Sequence, residues 1–211
     1  TLGGFDNLSI LAVAGRPYGE IWGTKYQRVE DPDSPHYGKI IVDSNGMPLA
    51  TPDQHRLGNQ QPDALLGITN TFSYKGLSLS FLVDGRFGGE IFSGTNLSMQ
   101  RAGTAAATVV NGERADIIVD GVVYVTPEDA TPRVFEQNTT AVSPQNYWNA
   151  SASTNLGINE ANIYDATNIR LRNVSLNYNL PRRWIEGLAL QGAQIGLSAN
   201  NVWMFKSHLN G

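Results

Sequence analysis

TNIRLRNVSLNYNLPRRWIEGLALQGAQIGLSANNVWMF, from Thr167 to Phe205, is the stretch whose reading decides the fold. Ile169 and Leu171 alternate with Asn168, Arg170 and Arg172. The phase then slips by one, and Val174, Leu176, Tyr178 and Leu180 alternate with Ser175, Asn177 and Asn179. Side chains alternate across a strand with period 2, so a single slip that then resumes predicts a β-bulge near Arg172-Asn173. Pro181 has no N–H to give to a ladder and ends the strand. The return strand alternates Ala193, Ile195, Leu197 and Ala199 with Gln194, Gly196, Ser198 and Asn200, and closes on Trp203, Met204 and Phe205. One face is apolar. The other is small and polar, with two arginines.

Two architectures fit that pattern. In a soluble β-sandwich, such as a carbohydrate-binding or adhesin module, the apolar face is the core and the other meets water, usually through Lys and Glu. In an outer-membrane barrel the apolar face meets lipid, the polar face lines a lumen, and aromatics gather near the strand ends. A second hairpin repeats the pattern. Leu66, Ile68, Phe72 and Tyr74 run into a Lys75-Gly76 turn, and Leu77, Leu79, Phe81 and Val83 return, alternating with Ser78, Ser80 and Asp84.

Composition narrows the field. Charged residues are 16% of the 211, against roughly 25% in soluble domains. The net charge of −4 gives no basic field for nucleic acid, and the absence of cysteine removes disulfide scaffolds and thiolate chemistry. No apolar run approaches the roughly 18 residues of a transmembrane helix, which says nothing against a barrel. Thr1 opens mid-pattern without a signal peptide, and the chain is expected to be a fragment.

Elsewhere the signals are shorter. Leu8–Ala14 reads as the end of a strand and Tyr18–Tyr26 as a strand rich in aromatics and glycine. Asp43-Ser44-Asn45-Gly46 reads as a hairpin turn between 39–42 and 47–50, since the spacing fails a calcium loop. Between Gly85 and Ala166 alternation fades for about 80 residues, far beyond ordinary loop lengths. This segment should hold a helix over Ala102–Val110 and a small hairpin about Asp120-Gly121, with arms 117–119 and 122–125. Short turns at one end of the strands and one very long segment at the other match the periplasmic and extracellular sides of a barrel.

Several motifs together carry a family resemblance. IRLRNVSLNYNLPRRWIEGL followed by IGLSANNVWMF closely resembles the C-terminal strands of SusC/RagA-type TonB-linked outer-membrane receptors. GRPYGEIWGTKYQ, RLGNQQPDALLGITNTFSYKGLSLSFLVDGRFGGEIF, RAGTAAATVVNGERADIIVDGVVY and TTAVSPQNYWN resemble their preceding segments in order. The resemblance implies an all-β fold: antiparallel transmembrane strands of a plugged 22-strand barrel. Strands would lie near 8–30, 64–92 and 167–205, with a long extracellular loop about 93–166, and the plug domain and final strand absent from this chain. It further implies import of oligosaccharide or peptide across the outer membrane of a Gram-negative bacterium. Its partners would be a SusD-like lipoprotein lid, TonB acting through the absent N-terminal region, and membrane lipid, with no nucleic acid.

No enzymatic step and no cofactor is called for. His36, His55 and His208 lack metal-ligand spacing. Gly85–Gly89 reads as a strand exit rather than a phosphate loop, and Glu128-Asp129 as solvated loop charges rather than a glycosidase pair. Tyr147, Trp148, Tyr124 and Arg101 are the candidates for contact with substrate or lid, because aromatic faces stack on sugar rings and Trp, Tyr and Arg dominate protein–protein hot spots. Packing of the long segment onto itself is the competing role for them.

Overall fold

The computed structural model describes residues 1–109, 112–127, 133–153, 157–187 and 190–207. In chain order the strands are β1 (Gly3–Phe5), β2 (Leu8–Leu11), β3 (Glu20–Gly23), β4 (Ile40–Val42), β5 (His55–Asn59), β6 (Ala64–Tyr74) and β7 (Leu77–Phe87). There follow β8 (Glu90–Phe92), helix α1 (Gly94–Arg101), β9 (Ile117–Ile118), β10 (Gly121–Tyr124), β11 (Phe135–Gln137) and β12 (Ala141–Val142). Helix α2 (Pro144–Ser151), β13 (Ile163–Asp165), β14 (Asn168–Asn179), the short α3 (Arg182–Ile185) and β15 (Gln194–Ser207) complete the order. The chain is mostly strand, and it divides into two units. One joins 1–60 with 90–164; the other joins 61–89 with the segment from 165 onward.

The second unit is a four-stranded antiparallel sheet in the order β15-β14-β7-β6. The β6–β7 turn has positive φ at both Lys75 (45°) and Gly76 (83°), the combination a two-residue turn needs to match the strands' twist. The predicted slip is present: β14 loses register with both neighbours between Leu171 and Asn173, leaving Arg172 as the extra residue. Register then aligns the alternations of all four strands. Tyr74, Leu77, Tyr178 and Ile195 form one cross-strand row; Phe72, Leu79, Leu176 and Leu197 form the next on that face. Ser73, Ser78, Asn177 and Gly196, then Thr71, Ser80, Ser175 and Ser198, make the corresponding rows of the other face.

The apolar face of this sheet is bare. Leu197 is 73% exposed, Ile195 60% and Phe72 57%, while Ser78 and Ser80 on the polar face are only half-exposed. A water-soluble domain buries such a face, because each apolar side chain covered is worth about 1.5–3 kcal/mol. Tyr178 and Trp184 meet edge-on at 6.4 Å beside the Pro181 turn, and Trp203 and Phe205 stand at the opposite strand ends. Among the described residues no barrel closes: β6 and β15 each pair on one side only.

The first unit is built from short strands. The sheet β1-β2-β3-β5 and the sheet β11-β10-β4, with β4 and β10 parallel, carry most of it. Its core gathers Val29, Ile41 and Val122, with Leu49, Tyr124 and Phe135 packed on them. Glu20 is almost fully buried, and its carboxylate is held by Arg56 Nε at 2.9 Å, Arg16 at 3.7 Å and the indole N–H of Trp22 at 3.1 Å. Partner groups of this kind are what make a buried charge tolerable.

Three local expectations give way here. The helix begins at Gly94, because the Ser93 hydroxyl caps it by accepting from the Asn96 N–H. It ends at Gly103, whose φ of 69° leaves the helical region. Beyond it lies only a 3₁₀ turn at Ala106–Thr108, and Val110 falls outside the described residues. The arms about Asp120-Gly121 do not pair with one another: β9 pairs with β12, and β10 sits between β4 and β11. Buried Asn138 enforces that split, giving its side-chain N–H to Val119 O at 3.0 Å and its backbone N–H to Gly121 O. The Asp43–Gly46 turn forms, with Asp43 Oδ1 accepting from the Asn45 and Met47 N–H groups, but its return arm makes isolated bridges instead of a strand.

Candidate ligand-contact site

In the first unit, residues 25–31 run extended between two partners. Tyr26 bridges Ala50 and Arg28 bridges Ile40, which turns alternate side chains of this run inward and outward. Val29 packs into the core at 2% exposure, and the whole run from Lys25 to Asp31 borders a cleft of about 990 Å³. Its other walls include Tyr124 and Phe135, whose rings pack at 5.1 Å, the exposed ring of Tyr37, and the charged groups Lys25, Asp31, Asp53 and Arg133. The volume is at the upper end of ordinary ligand sites, which span about 300–1,000 Å³.

The floor of the cleft is locked from behind. Glu160 Oε2 accepts from the Tyr26 backbone N–H at 2.9 Å and from Arg28 Nη1 at 3.0 Å, and the Arg28 guanidinium lies 5.5 Å from the centre of the Tyr26 ring. One turn away, buried Asn159 accepts from the Thr24 N–H at 3.0 Å, and the Thr24 hydroxyl donates to Gly157 O at 2.7 Å. Burial pushes the Tyr26 phenol well above the usual tyrosine range. Tyr147, to which it is hydrogen-bonded, and Glu160 push the same way, and Arg28 opposes them. Burial also raises Tyr147, against the hydrogen bond from Tyr26. Both phenols are therefore neutral at any physiological pH, and the cleft offers them as rings and hydrogen-bonding hydroxyls rather than as charges.

Of the four side chains singled out from the sequence, Tyr124 lines the cleft directly. Tyr147, on α2, backs it through Tyr26. Trp148 packs edge-on against Tyr147 at 4.9 Å, with its indole N–H buried and unpartnered among the described residues. Arg101 is exposed at the end of α1 and does not line the cleft. Tyr26, Arg28, Tyr37 and Phe135 escaped notice. The signal available was a single tyrosine among the charged residues of Lys25–Asp31, which resembles an ordinary exposed strand until its distant partners are known. No cluster of metal-ligating side chains occurs among the described residues. His55 is in β5 and lines the cleft, while His208 and Glu128-Asp129 lie outside the described residues. Gly88 and Gly89 take φ of 72° and 78°, and Gly88 donates its N–H to Thr167 Oγ1 at 2.9 Å. They form a strand exit, as the sequence indicated.

Among curated proteins, TonB-dependent receptor P3 of Formosa agariphila is 26% identical over 178 residues, covering 83% of this chain and 15% of that protein. TonB-dependent receptor P26 of the same organism is 28% identical over 172 residues, covering 80% of this chain and 15% of that protein. The chain thus spans about 15% of the length of the curated relatives it matches. No protein-family model matches it. Among solved structures, a chain of the RagAB peptide importer in the closed-closed state superposes with a TM-score of 0.47 at 16% identity, covering 97% of this chain and 22% of that one. That likeness is too distant to carry weight. The resemblance read from the motifs holds at the level of the class: the chain is similar to TonB-dependent receptors. It is similar to a portion of them, and the portion's relatives are named as receptors, not as enzymes.

Proposed function

We propose that this chain is part of a SusC-like TonB-dependent importer in the outer membrane of a Gram-negative bacterium, taking up oligosaccharide or peptide without a catalytic step. The four long strands belong to its transmembrane barrel, and the segment 93–166 is extracellular. The cleft bounded by Tyr26, Tyr37, Tyr124 and Phe135 contacts cargo. TonB supplies the energy through a region outside these residues, and a SusD-like lipoprotein is the surface partner.

The observation that carries this reading is the inverted sheet. Its apolar face is exposed in four registered strands, and its polar face is mainly Ser, Thr, Asn and Gly, with charge confined to Asp84, Arg86, Arg170 and Arg172 near one end. That is the alternation of a lipid-facing wall with a polar interior. A soluble β-sandwich buries the apolar face and spreads charge along the other, whereas this sheet leaves the apolar face bare and has charge only near one end.

The test uses the full-length receptor in outer membranes, with fluorescently labelled oligosaccharide and peptide pools as probes. Uptake of one pool that stops when TonB is lost, and that falls about tenfold with Tyr37→Ala and Tyr124→Ala together, supports the reading. A receptor that is soluble without detergent, or uptake indifferent to both changes, refutes the barrel and the cleft respectively.

A further inference from the structure

The four long strands of the second unit carry no charge over 64–74, 77–83, 173–179 and 193–205. Charge returns at their turn end, where three cations stand against one carboxylate in a chain whose net charge is −4. Lys75 is at the tip of the β6–β7 turn. Arg182 and Arg183 open α3 after the Pro181 stop, and Glu186 follows that helix. The two turns lie side by side, because the Asn179 N–H donates to Gly76 O at 2.8 Å. Ile185 anchors α3 at 4% exposure, whereas Lys75, Arg182, Arg183 and Trp184 are exposed. Among the described residues no carboxylate pairs with Lys75, Arg182 or Arg183. Lys75 Nζ lies 5.2 Å from the centre of the Tyr74 ring, and Tyr74 and Trp184 are each more than half exposed.

We infer that these two turns form a binding surface for the headgroup phosphates of anionic glycerophospholipids, in the membrane leaflet on the side of the short turns. The inference rests on the barrel reading above and adds a lipid class to it. The cations sit at the end of the bare apolar face, beside the row Tyr74, Leu77, Tyr178 and Ile195. A lipid whose chains cover that face therefore brings its phosphate to their level. Tyr74, Tyr178 and Trp184 mark the same level independently, since rings with one polar end settle where hydrocarbon meets water. Guanidinium forks take phosphate oxygens two at a time, and Lys75 adds a point charge. A zwitterionic headgroup carries a cation of its own, which the three cations repel, so the surface selects lipid of net negative charge. Short turns of such barrels face the periplasm, which makes the ligand a phospholipid of the inner leaflet.

The test places the full-length receptor in nanodiscs of phosphatidylglycerol and phosphatidylcholine in equal parts, and native mass spectrometry counts the lipids that stay bound on release. Phosphatidylglycerol should be retained in excess, and added salt should erode the excess. It should fall about fivefold for each cation removed by Lys75→Gln, Arg182→Gln or Arg183→Gln. Arg182→Lys with Arg183→Lys should keep most of it, and Arg101→Gln, which removes an exposed charge from the first unit, should leave it unchanged. A receptor without heat-modifiable migration refutes the barrel and the inference with it. A heat-modifiable receptor that retains both lipids equally refutes the inference alone. So does an excess that survives the triple glutamine change, or one that Arg101→Gln lowers as much. Displacement of the lipid by an equal concentration of inorganic phosphate overturns it in favour of a free-anion site. Capture of protein and no lipid, by a photo-crosslinking amino acid in place of Arg183 in intact cells, overturns it in favour of a protein partner.

Discussion

The most informative single change is Phe81→Arg. Phe81 stands in the row Asn70, Phe81, Val174 and Ala199 on the apolar face, midway between Leu66 and Tyr74. From Leu66 to Tyr74 the strand rises by about 26 Å at roughly 3.3 Å per residue, and a tilt of about 40° reduces this to a height of roughly 20 Å. On the barrel reading proposed above, that nearly fills the apolar band, about 25 Å tall, and would put Phe81 close to the bilayer midplane. An arginine there should cost about 2–4 kcal/mol, whereas the same change at Leu66, near the rim, should cost about 0–1 kcal/mol. Ser80→Arg, one residue away but on the opposite face, enters no lipid and should cost less than Phe81→Arg. The assay is reversible urea unfolding of the full-length receptor in lipid vesicles, followed by heat-modifiable migration. Equal losses at Phe81 and Leu66, or a larger loss at Ser80 than at Phe81, would refute the lipid-facing assignment of this face.

Three further outcomes follow from the geometry. Asn159→Ala removes the acceptor of the Thr24 N–H from a site that is 1% exposed; it should destabilise the first unit by about 1–3 kcal/mol, read as earlier protease cleavage within residues 1–60 of the intact receptor. Gly76→Val forces a branched side chain into φ of 83°, should cost about 1–2 kcal/mol, and should slow formation of the β6–β7 hairpin in refolding experiments. Because the Tyr26 and Tyr147 phenols are held neutral above their ordinary range, their contribution is whole below about pH 10 and declines as pH rises, since the unfolded chain ionises first. Tyr147→Phe should flatten the alkaline unfolding curve; an unchanged curve would show that the pair is not buried.

What could be read from the sequence depended on element length. β6, β7, β14 and β15 are 11, 11, 12 and 14 residues long, enough for period 2 to declare itself and for the slip at Arg172 to stand out. The Lys75-Gly76 turn was legible because its chemistry is local. Of the first unit only the strands within 8–14 and 18–26 and the Asp43–Gly46 turn were legible, since its strands run from two to five residues, too short for alternation to fix their pairing. Its pairings are also remote: β4 lies parallel to β10 across a separation that no local rule senses. The same cause explains the site. Tyr124, Tyr147 and Trp148 announced themselves by residue type, whereas Tyr26 and Arg28 gain their meaning only from Glu160, more than a hundred positions on.

That remoteness bears on the order of events during assembly. The clamp of Thr24 on Asn159 closes a loop of 135 residues, and the whole β6–β7 hairpin is made inside that loop before its far end exists. The hairpin needs only neighbours and can form within microseconds, but the first unit must wait until the chain has been made through Asn162. Loop closure of this length adds little to the equilibrium cost, because the penalty grows only with the logarithm of length; the burden is one of timing. During that interval β3 can pair with β2 and β5, but Thr24 and Tyr26 lack the Asn159 and Glu160 groups that hold them. On the proposed outer-membrane reading, a holdase that shields these groups until residues 157–162 arrive would raise the yield of folded protein without changing its final stability.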